Sequence, residues 1–228
     1  MLDLRNISVA ISGIPILRGV TFGVGEGETV AYVGRNGAGK TTTLRAIMGA
    51  VASRGTIRLA GEAIDAVPAH ERPALGIGWA PEDRRLFSAF TVTENILLPA
   101  RVARLDAAER ARRLERVYAI LPELKEMGDR PAGSVSGGQG KMVALGRALM
   151  IGTRLVLLDE PFQGLAPVLA QRYGEALRAL QAQDTGLSIL ITESNPALLQ
   201  GFADRTIGIE RGEIDAAPAL EDTGRTMV

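Results

Sequence analysis

The sequence predicts an α/β fold built on a wound, mostly parallel sheet, with an antiparallel β subdomain and an inserted α-helical subdomain. Three observations carry this expectation. The apolar run Thr29-Val30-Ala31-Tyr32-Val33 passes through a glycine-rich loop into the helix-like Leu44-Arg45-Ala46-Ile47-Met48, a strand, loop, helix order. The run Arg154-Leu155-Val156-Leu157-Leu158 is almost wholly apolar, as in a strand of a sheet covered on both faces. Between them residues 82–150 lose strand patterning and take on helical periodicity rich in Arg and Glu. Parallel strands need crossovers, and a long helical crossover builds a lobe on the side of its sheet.

Length and composition suit one such domain over residues 1–228, with 1–81 and 151–228 as core and 82–150 as the helical part. With 46% apolar residues the chain can bury a sizeable interior. Lys plus Arg and Asp plus Glu balance at 26 each, so no net field favours nucleic acid and no such partner is expected. Cysteine is absent, which removes disulfides and thiolate metal sites. The opening Met1-Leu2-Asp3-Leu4-Arg5 has no basic stretch leading into an apolar one, and no apolar run approaches about 18 residues, so neither a signal peptide nor a membrane span is expected. Service to a membrane would run through a partner.

In chain order, residues 2–9 alternate loosely and 19–24 are β-rich before the turn Gly25-Glu26-Gly27-Glu28, which reads as antiparallel strands beside the strand at 29–33. Residues 55–62 read as a strand closed by a turn, 68–75 as a short helical segment, and 76–81 as a buried strand ended by Pro81. Helices are expected over 93–104, 107–121 and from Ser136 to Met150, the arginines and glutamates of 107–121 forming a solvated face. After the strand ending at Leu158 come a helix over 167–183, a strand over 187–192, a helix near 196–202 and a final β pair over 205–214. Residues 221–228 have little to bury and are expected to fray.

The loop Gly34-Arg35-Asn36-Gly37-Ala38-Gly39-Lys40-Thr41-Thr42 satisfies the P-loop spacing of Gly, four free positions and Gly-Lys-Ser/Thr. Glycines let successive amides turn inward on a polyphosphate, and the helix behind them aims the positive end of its dipole, about half a charge, at the same oxygens. Lys40 is expected on the terminal phosphates and the Thr41 hydroxyl on Mg²⁺, in a P-loop NTPase core of RecA-like type. Asp159-Glu160 follows a strand directly, at the carboxyl edge where open α/β sheets bind ligands. Asp159 is expected in the Mg²⁺ shell and Glu160 as general base on the water that attacks the γ-phosphate. Ser136-Gly137-Gly138-Gln139 is a capping box for the helix that follows. Two glycines in a first turn each cost about 1 kcal/mol against alanine, which capping does not explain but an anion at bare helix-start amides does.

P-loop, Ser-Gly-Gly-Gln and Leu157-Leu158-Asp159-Glu160-Pro161, in this order and spacing, resemble the nucleotide-binding subunit of ABC transporters over essentially the whole chain. The resemblance implies ATP with Mg²⁺ as cofactor and hydrolysis as the reaction. It further implies a head-to-tail dimer in which Ser136 and Gly138 of one subunit contact the γ-phosphate held by the other. Pro81-Glu82-Asp83-Arg84-Arg85-Leu86-Phe87, Thr91-Val92-Thr93-Glu94-Asn95, Gly146-Arg147-Ala148-Leu149-Met150 and Gly164-Leu165-Ala166-Pro167 look like one branch, the second ATPase of branched-chain amino acid importers. That branch implies a heterodimer with a second ATPase subunit, a homodimer being the alternative. It also implies membrane permease subunits, indirectly a periplasmic substrate-binding protein, and a cytoplasmic place on the inner face of the plasma membrane. Urea, amide and lipopolysaccharide systems are the near alternatives for cargo, and a weakly hydrolysing regulatory module is the alternative for activity.

Four departures from that family carry expectations of their own. Val135 stands for the Leu that usually leads the signature. Glu82 stands where relatives carry a metal-ligating Gln, and its carboxylate can still ligate Mg²⁺. The switch histidine is replaced within Ile191-Thr192-Glu193-Ser194-Asn195, where Ser194 offers one hydrogen bond without a cation; the single histidine, His70, reads as a surface residue. The adenine-stacking aromatic is replaced by Ile11, a loss of about 1–3 kcal/mol of stacking. Phe87 and Phe90 are expected either to dock a cytoplasmic helix of the membrane subunit or to fill the lobe's core.

Overall fold

A computed structural model describes residues 1–183 and 186–215; the expectation for residues 221–228 falls outside them. Among the described residues ten strands form two sheets. β1 (Leu2–Ile11), β2 (Ile14–Val24), β4 (Arg54–Leu59) and β5 (Glu62–Ala63) make an antiparallel sheet in the order β2-β1-β4-β5. β3 (Thr29–Val33), β6 (Ile77–Ala80), β7 (Leu155–Asp159), β8 (Ser188–Glu193), β9 (Arg205–Glu210) and β10 (Glu213–Asp215) make the second, in the order β10-β9-β3-β8-β7-β6. Its four pairings from β9 to β6 are parallel, and β10 closes it antiparallel.

The expected pair beside the nucleotide strand is thus a hairpin in a different sheet. Ser12 and Gly13 both take positive φ, 51° and 81°, the twist that joins two strands by a two-residue turn, and this lets β2 begin at Ile14 rather than near Gly19. Two further expectations shorten. Residues 72–75 and 196–199 form single 3₁₀ turns, each with a proline in its first positions, followed at Gly76 and Gly201 by left-handed backbone that continues no helix.

The helices are α1 (Lys40–Ile47), α2 (Val92–Val102), α3 (Ala107–Ile120), α4 (Pro122–Glu126), α5 (Gly137–Ile151) and α6 (Pro167–Gln183). α3 ends at Leu121 because Pro122 disfavours helical backbone before it, and the same proline opens α4. Thr91, Asp106 and Ser136 cap α2, α3 and α5 through their side chains, with full capping boxes at Thr91–Glu94 and Ser136–Gln139. α5 buries ten of its fifteen residues, from Gly140 to Ile151, between the parallel sheet and the lobe of α2, α3 and α4.

The parallel sheet divides two cores, because alternate residues of each strand point to opposite faces. Ala31, Val156, Leu158, Ile189 and Ile191 face the helical lobe; Val30, Tyr32, Leu155, Leu157 and Leu190 face α1 and the antiparallel sheet. Buried Tyr32 finds a hydroxyl partner in Thr43 of α1 at 3.3 Å, which ties strand to helix directly behind the glycine loop. Because β3, β8 and β7 are adjacent and parallel, their carboxyl ends, at Val33, Glu193 and Asp159, share one edge.

Candidate nucleotide site

At that edge the chain between β3 and α1 wraps the start of the helix. Gly39, the N-cap of α1, has φ 117°, a conformation closed to residues with a Cβ, and no side chain caps the helix. The first-turn amides of α1 therefore remain available to an anion. A cavity of about 490 Å³ opens here, lined by Ile16, Asn36, Gly37, Gly39, Lys40, Thr41, Thr42, Glu82, Glu160 and Gln163.

Lys40 is only 5% exposed, and its Nζ donates to Gly34 O at 2.6 Å and Arg35 O at 3.2 Å while pairing with Glu160 Oε1 at 2.9 Å. Glu160 is held from every side. Its amide donates to Thr192 Oγ1 at 3.0 Å, its Oε2 accepts from the amide and the hydroxyl of Ser194, both at 3.2 Å, and its carbonyl accepts from Lys141 Nζ at 2.5 Å. Its backbone is left-handed, φ 47°, a strain of about 1–2 kcal/mol for a residue with a side chain. Burial raises the pKa of its carboxyl, but the hydrogen bond and charge of Lys40 outweigh this and hold it below the usual value, so the carboxylate is ionised.

Asp159 accepts at Oδ1 from Thr41 and Thr192, each at 3.0 Å, while its buried Oδ2 has no partner. Burial pushes its carboxyl up, as expected for an acceptor lacking a donor. Asp159 lines a small cavity of about 60 Å³ with Thr41, Glu82 and Asp83, and with the cations Arg45 and Arg85, the latter paired with Asp83. An unpartnered carboxylate oxygen, a threonine hydroxyl and nearby acidic groups form a donor set for a hard, oxygen-seeking cation. Among the described residues no three His, Cys, Asp or Glu side chains could hold a metal alone, so any such ion would share its shell with phosphate oxygens and water.

Of the residues singled out in the sequence, Asn36, Gly37, Gly39, Lys40, Thr41, Thr42, Glu82 and Glu160 line the main cavity, and Gly34, Arg35 and Ala38 complete its loop. Ser194 reaches the site through Glu160. Ile11 does not line the cavity. It sits beside the hairpin turn, 43% exposed and paired with Ile14, and the apolar side chain that β2 brings to the cavity is Ile16. Ser136, Gly137, Gly138 and Gln139 do not line it either; they form the start of α5, with Gly138 so close to Leu169 that a Cβ would lie 2.3 Å from its Cδ1. His70 is on the surface beside Glu71. Phe87 and Phe90 are exposed and stacked, ring centroids 5.5 Å apart, so they are not lobe core.

Three residues escaped the sequence reading. Glu193, 1% exposed, accepts from the Phe162 amide at 2.9 Å, and burial, followed by the charge of Glu160, pushes its carboxyl up to about 7. Lys141 comes from α5, and Gln163 from the segment after Glu160. Only Glu193 carried a signal, as an acidic residue ending an apolar run at the edge where ligands bind.

Parallel sheet, phosphate loop, buried lysine and paired carboxylates together define a P-loop nucleotide hydrolase. The pattern of the ABC transporter family matches residues 17–163, and the chain belongs to that family as one of its ATP-binding subunits. The high-affinity branched-chain amino acid transport ATP-binding protein BraG of Pseudomonas aeruginosa is 35% identical over 229 residues, covering 100% of this chain and 95% of that protein. The lipopolysaccharide export system ATP-binding protein LptB of Acidithiobacillus ferridurans is 34% identical over 208 residues, covering 91% and 85%. Among solved structures, a nucleotide-free ATP-binding cassette from an ABC transporter superposes with TM-score 0.84 at 27% identity, and the ADP conformation of the cassette MJ1267 with 0.82 at 27%; each covers 97% of this chain and 92% of its own. Subunits of this family hydrolyse ATP, dimerise and work with membrane permease components. Among the described residues of this chain no helix is long and apolar enough to cross a membrane.

Proposed function

We propose that this chain hydrolyses MgATP to drive an importer of branched-chain or other small amino acids, from the cytoplasmic face of the membrane. The observation that carries the hydrolytic part is the buried pair of Lys40 and Glu160, 2.9 Å apart, beside the unpartnered Oδ2 of Asp159. In this reading the loop amides and Lys40 hold the β- and γ-phosphates, Lys40 giving up Glu160 Oε1 to do so, while Ser194 keeps hold of Glu160 Oε2. Glu160, ionised, accepts a proton from the water in line with the γ-phosphate and directs that water's lone pair at phosphorus. Thr41, Asp159 and Glu82 would hold Mg²⁺, which supplies charge neutralisation on the phosphates when bound. Ile16 supplies an apolar contact at the cavity.

Ser136, Gly137, Gly138 and Gln139 then act on the nucleotide of a facing subunit, a second ATPase or another copy. Phe87 and Phe90 offer the permease an exposed aromatic pair, and a periplasmic binding protein acts only through that permease. The amino acid cargo is supported by the full-length match to BraG. The integrity of 1–228 as one domain is supported by α5, which packs against both the sheet and the lobe.

A Glu160→Gln variant tests the reading. Phosphate release from ATP is expected to fall about 10²–10⁴-fold, the worth of a positioned general base. Equal rates for variant and wild type would instead favour a regulatory module that binds nucleotide and dimerises, a second reading motivated by Ser194 standing where a cationic side chain would otherwise meet the phosphate.

A further inference from the structure

We propose that Lys141 is a positioning residue for hydrolysis, tying the backbone of Glu160 to the helix that begins at Ser136. The inference rests on the reading of Glu160 as the base. Lys141 lies in the second turn of α5, five residues beyond the N-cap. Its Nζ donates to Glu160 O at 2.5 Å, the carbonyl of a residue whose backbone is left-handed despite its side chain. Glu193 secures the next stretch by accepting from the Phe162 amide, and Thr192 receives the Glu160 amide. Among the described residues Lys141 is the one side chain of the helical lobe that hydrogen-bonds Glu160, whose carbonyl also accepts from the Gln163 amide at 3.2 Å.

Its surroundings suit that task. Burial disfavours the ammonium form, while the carboxylates of Glu193, Glu82 and Glu160 favour it and Arg84 opposes it. Burial wins, so the pKa of the ammonium lies below the ordinary lysine value, with the neighbouring acidic groups offsetting part of that cost, and the hydrogen bond to Glu160 O fixes its place. The arrangement also joins two functions. Ser136 and Lys141 belong to one rigid helix, about 7.5 Å apart along its axis at the usual rise. A shift of the Ser-Gly-Gly turn therefore reaches the base through five residues of helix, with Arg84 Nη1 donating to Gly137 O at 3.2 Å as a second tie to the Glu82 loop.

The experiment compares Lys141→Met, Lys141→Arg and wild type in steady-state ATP hydrolysis with the companion subunit present, alongside calorimetric ATP affinity and thermal unfolding. Lys141→Met is expected to lower kcat about 10- to 100-fold, the penalty of a misplaced catalytic group, with the ATP dissociation constant within about twofold. Lys141→Arg, which keeps the cation and the donor, is expected to recover most of the rate. In a Glu160→Gln background Lys141→Met is expected to change the residual rate less than about twofold, because the lysine acts through the base. An unchanged kcat in Lys141→Met would overturn the proposal, as would failure of Lys141→Arg to rescue, or a full further loss in the Glu160→Gln background. If Glu160→Gln itself turns over like wild type, the reading of the site fails rather than the role of Lys141.

Discussion

Glu160 shows how a single residue can be assembled from parts that sequence order does not bring together. Its lysine partner is 120 positions upstream in the phosphate loop, its serine partner 34 positions downstream, and Lys141 comes from α5, 19 positions upstream. The phosphate loop was legible because it is contiguous and glycine freedom is a local property. Glu193 and Lys141 were not, because their partners are fixed only once β8, β7 and α5 pack. Ile11 was misplaced for a similar reason: the hairpin turn at Ser12-Gly13 sets the register, and register decides that Ile16 reaches the cavity. Glu193 supports a prediction about pH. Its carboxyl keeps a proton in the folded chain up to about pH 7, while the unfolded chain releases it near the ordinary value of 4.5. The folded state thus binds more protons in that window, and stability from this group is full below it and lost as pH rises through it. Glu193→Gln cannot titrate, so wild type is expected to lose on the order of 2 kcal/mol relative to the variant between pH 5 and pH 8 in urea unfolding. A gap that stays constant across that range contradicts the assignment.

Among the elements, α6 and α3 fall where their patterns predict, whereas the short α4 is not read and the two 3₁₀ turns read as helix. Periodicity registers which face is apolar; it is blind to a proline that stops hydrogen bonding within the same face. α5 is the element on which the site most depends, and its contact with β6 is close-packed backbone. A Cβ on Gly78 would lie 2.1 Å from Ala148 O, 2.8 Å from Ala148 C and 3.1 Å from Gly152 Cα, none of which can swing aside as a side-chain end would. Gly78→Ala is therefore expected to cost about 1–3 kcal/mol in chemical unfolding. A loss under about 0.5 kcal/mol, the scatter of neutral surface changes, would mean that the helix can retreat from the sheet freely. Asn95 does the corresponding work for the exposed rings: fully buried, it donates to Phe87 O and Thr91 O and accepts from the Phe87 amide, fixing the loop that carries Phe87 and Phe90.

For the molecule as a whole, the order of strands matters more than any one of them. The two cores share the parallel sheet as a common wall, and the wound topology was readable from its continuous apolar runs. The separation of the antiparallel sheet was not, because alternation says which face is buried and leaves open which sheet a strand joins. The Ser-Gly-Gly turn stands apart from the cavity of its own chain, and in the proposed function a second subunit would bring one to it. With MgATP and the companion subunit, Glu160→Gln is expected to elute in size-exclusion chromatography as a stable dimer, while wild type returns to monomers as nucleotide is consumed. Monomeric Glu160→Gln under saturating MgATP would argue against a shared site.

The ammonium of Lys40 has three hydrogens, and three oxygens already claim them: Gly34 O, Arg35 O and Glu160 Oε1. An incoming phosphate can engage that nitrogen only by evicting one claimant, and the carboxylate is the one attached to a movable side chain. In the proposed function, arrival of the fuel and liberation of the group that consumes it would become a single exchange of partners, a safeguard against firing on an empty chamber.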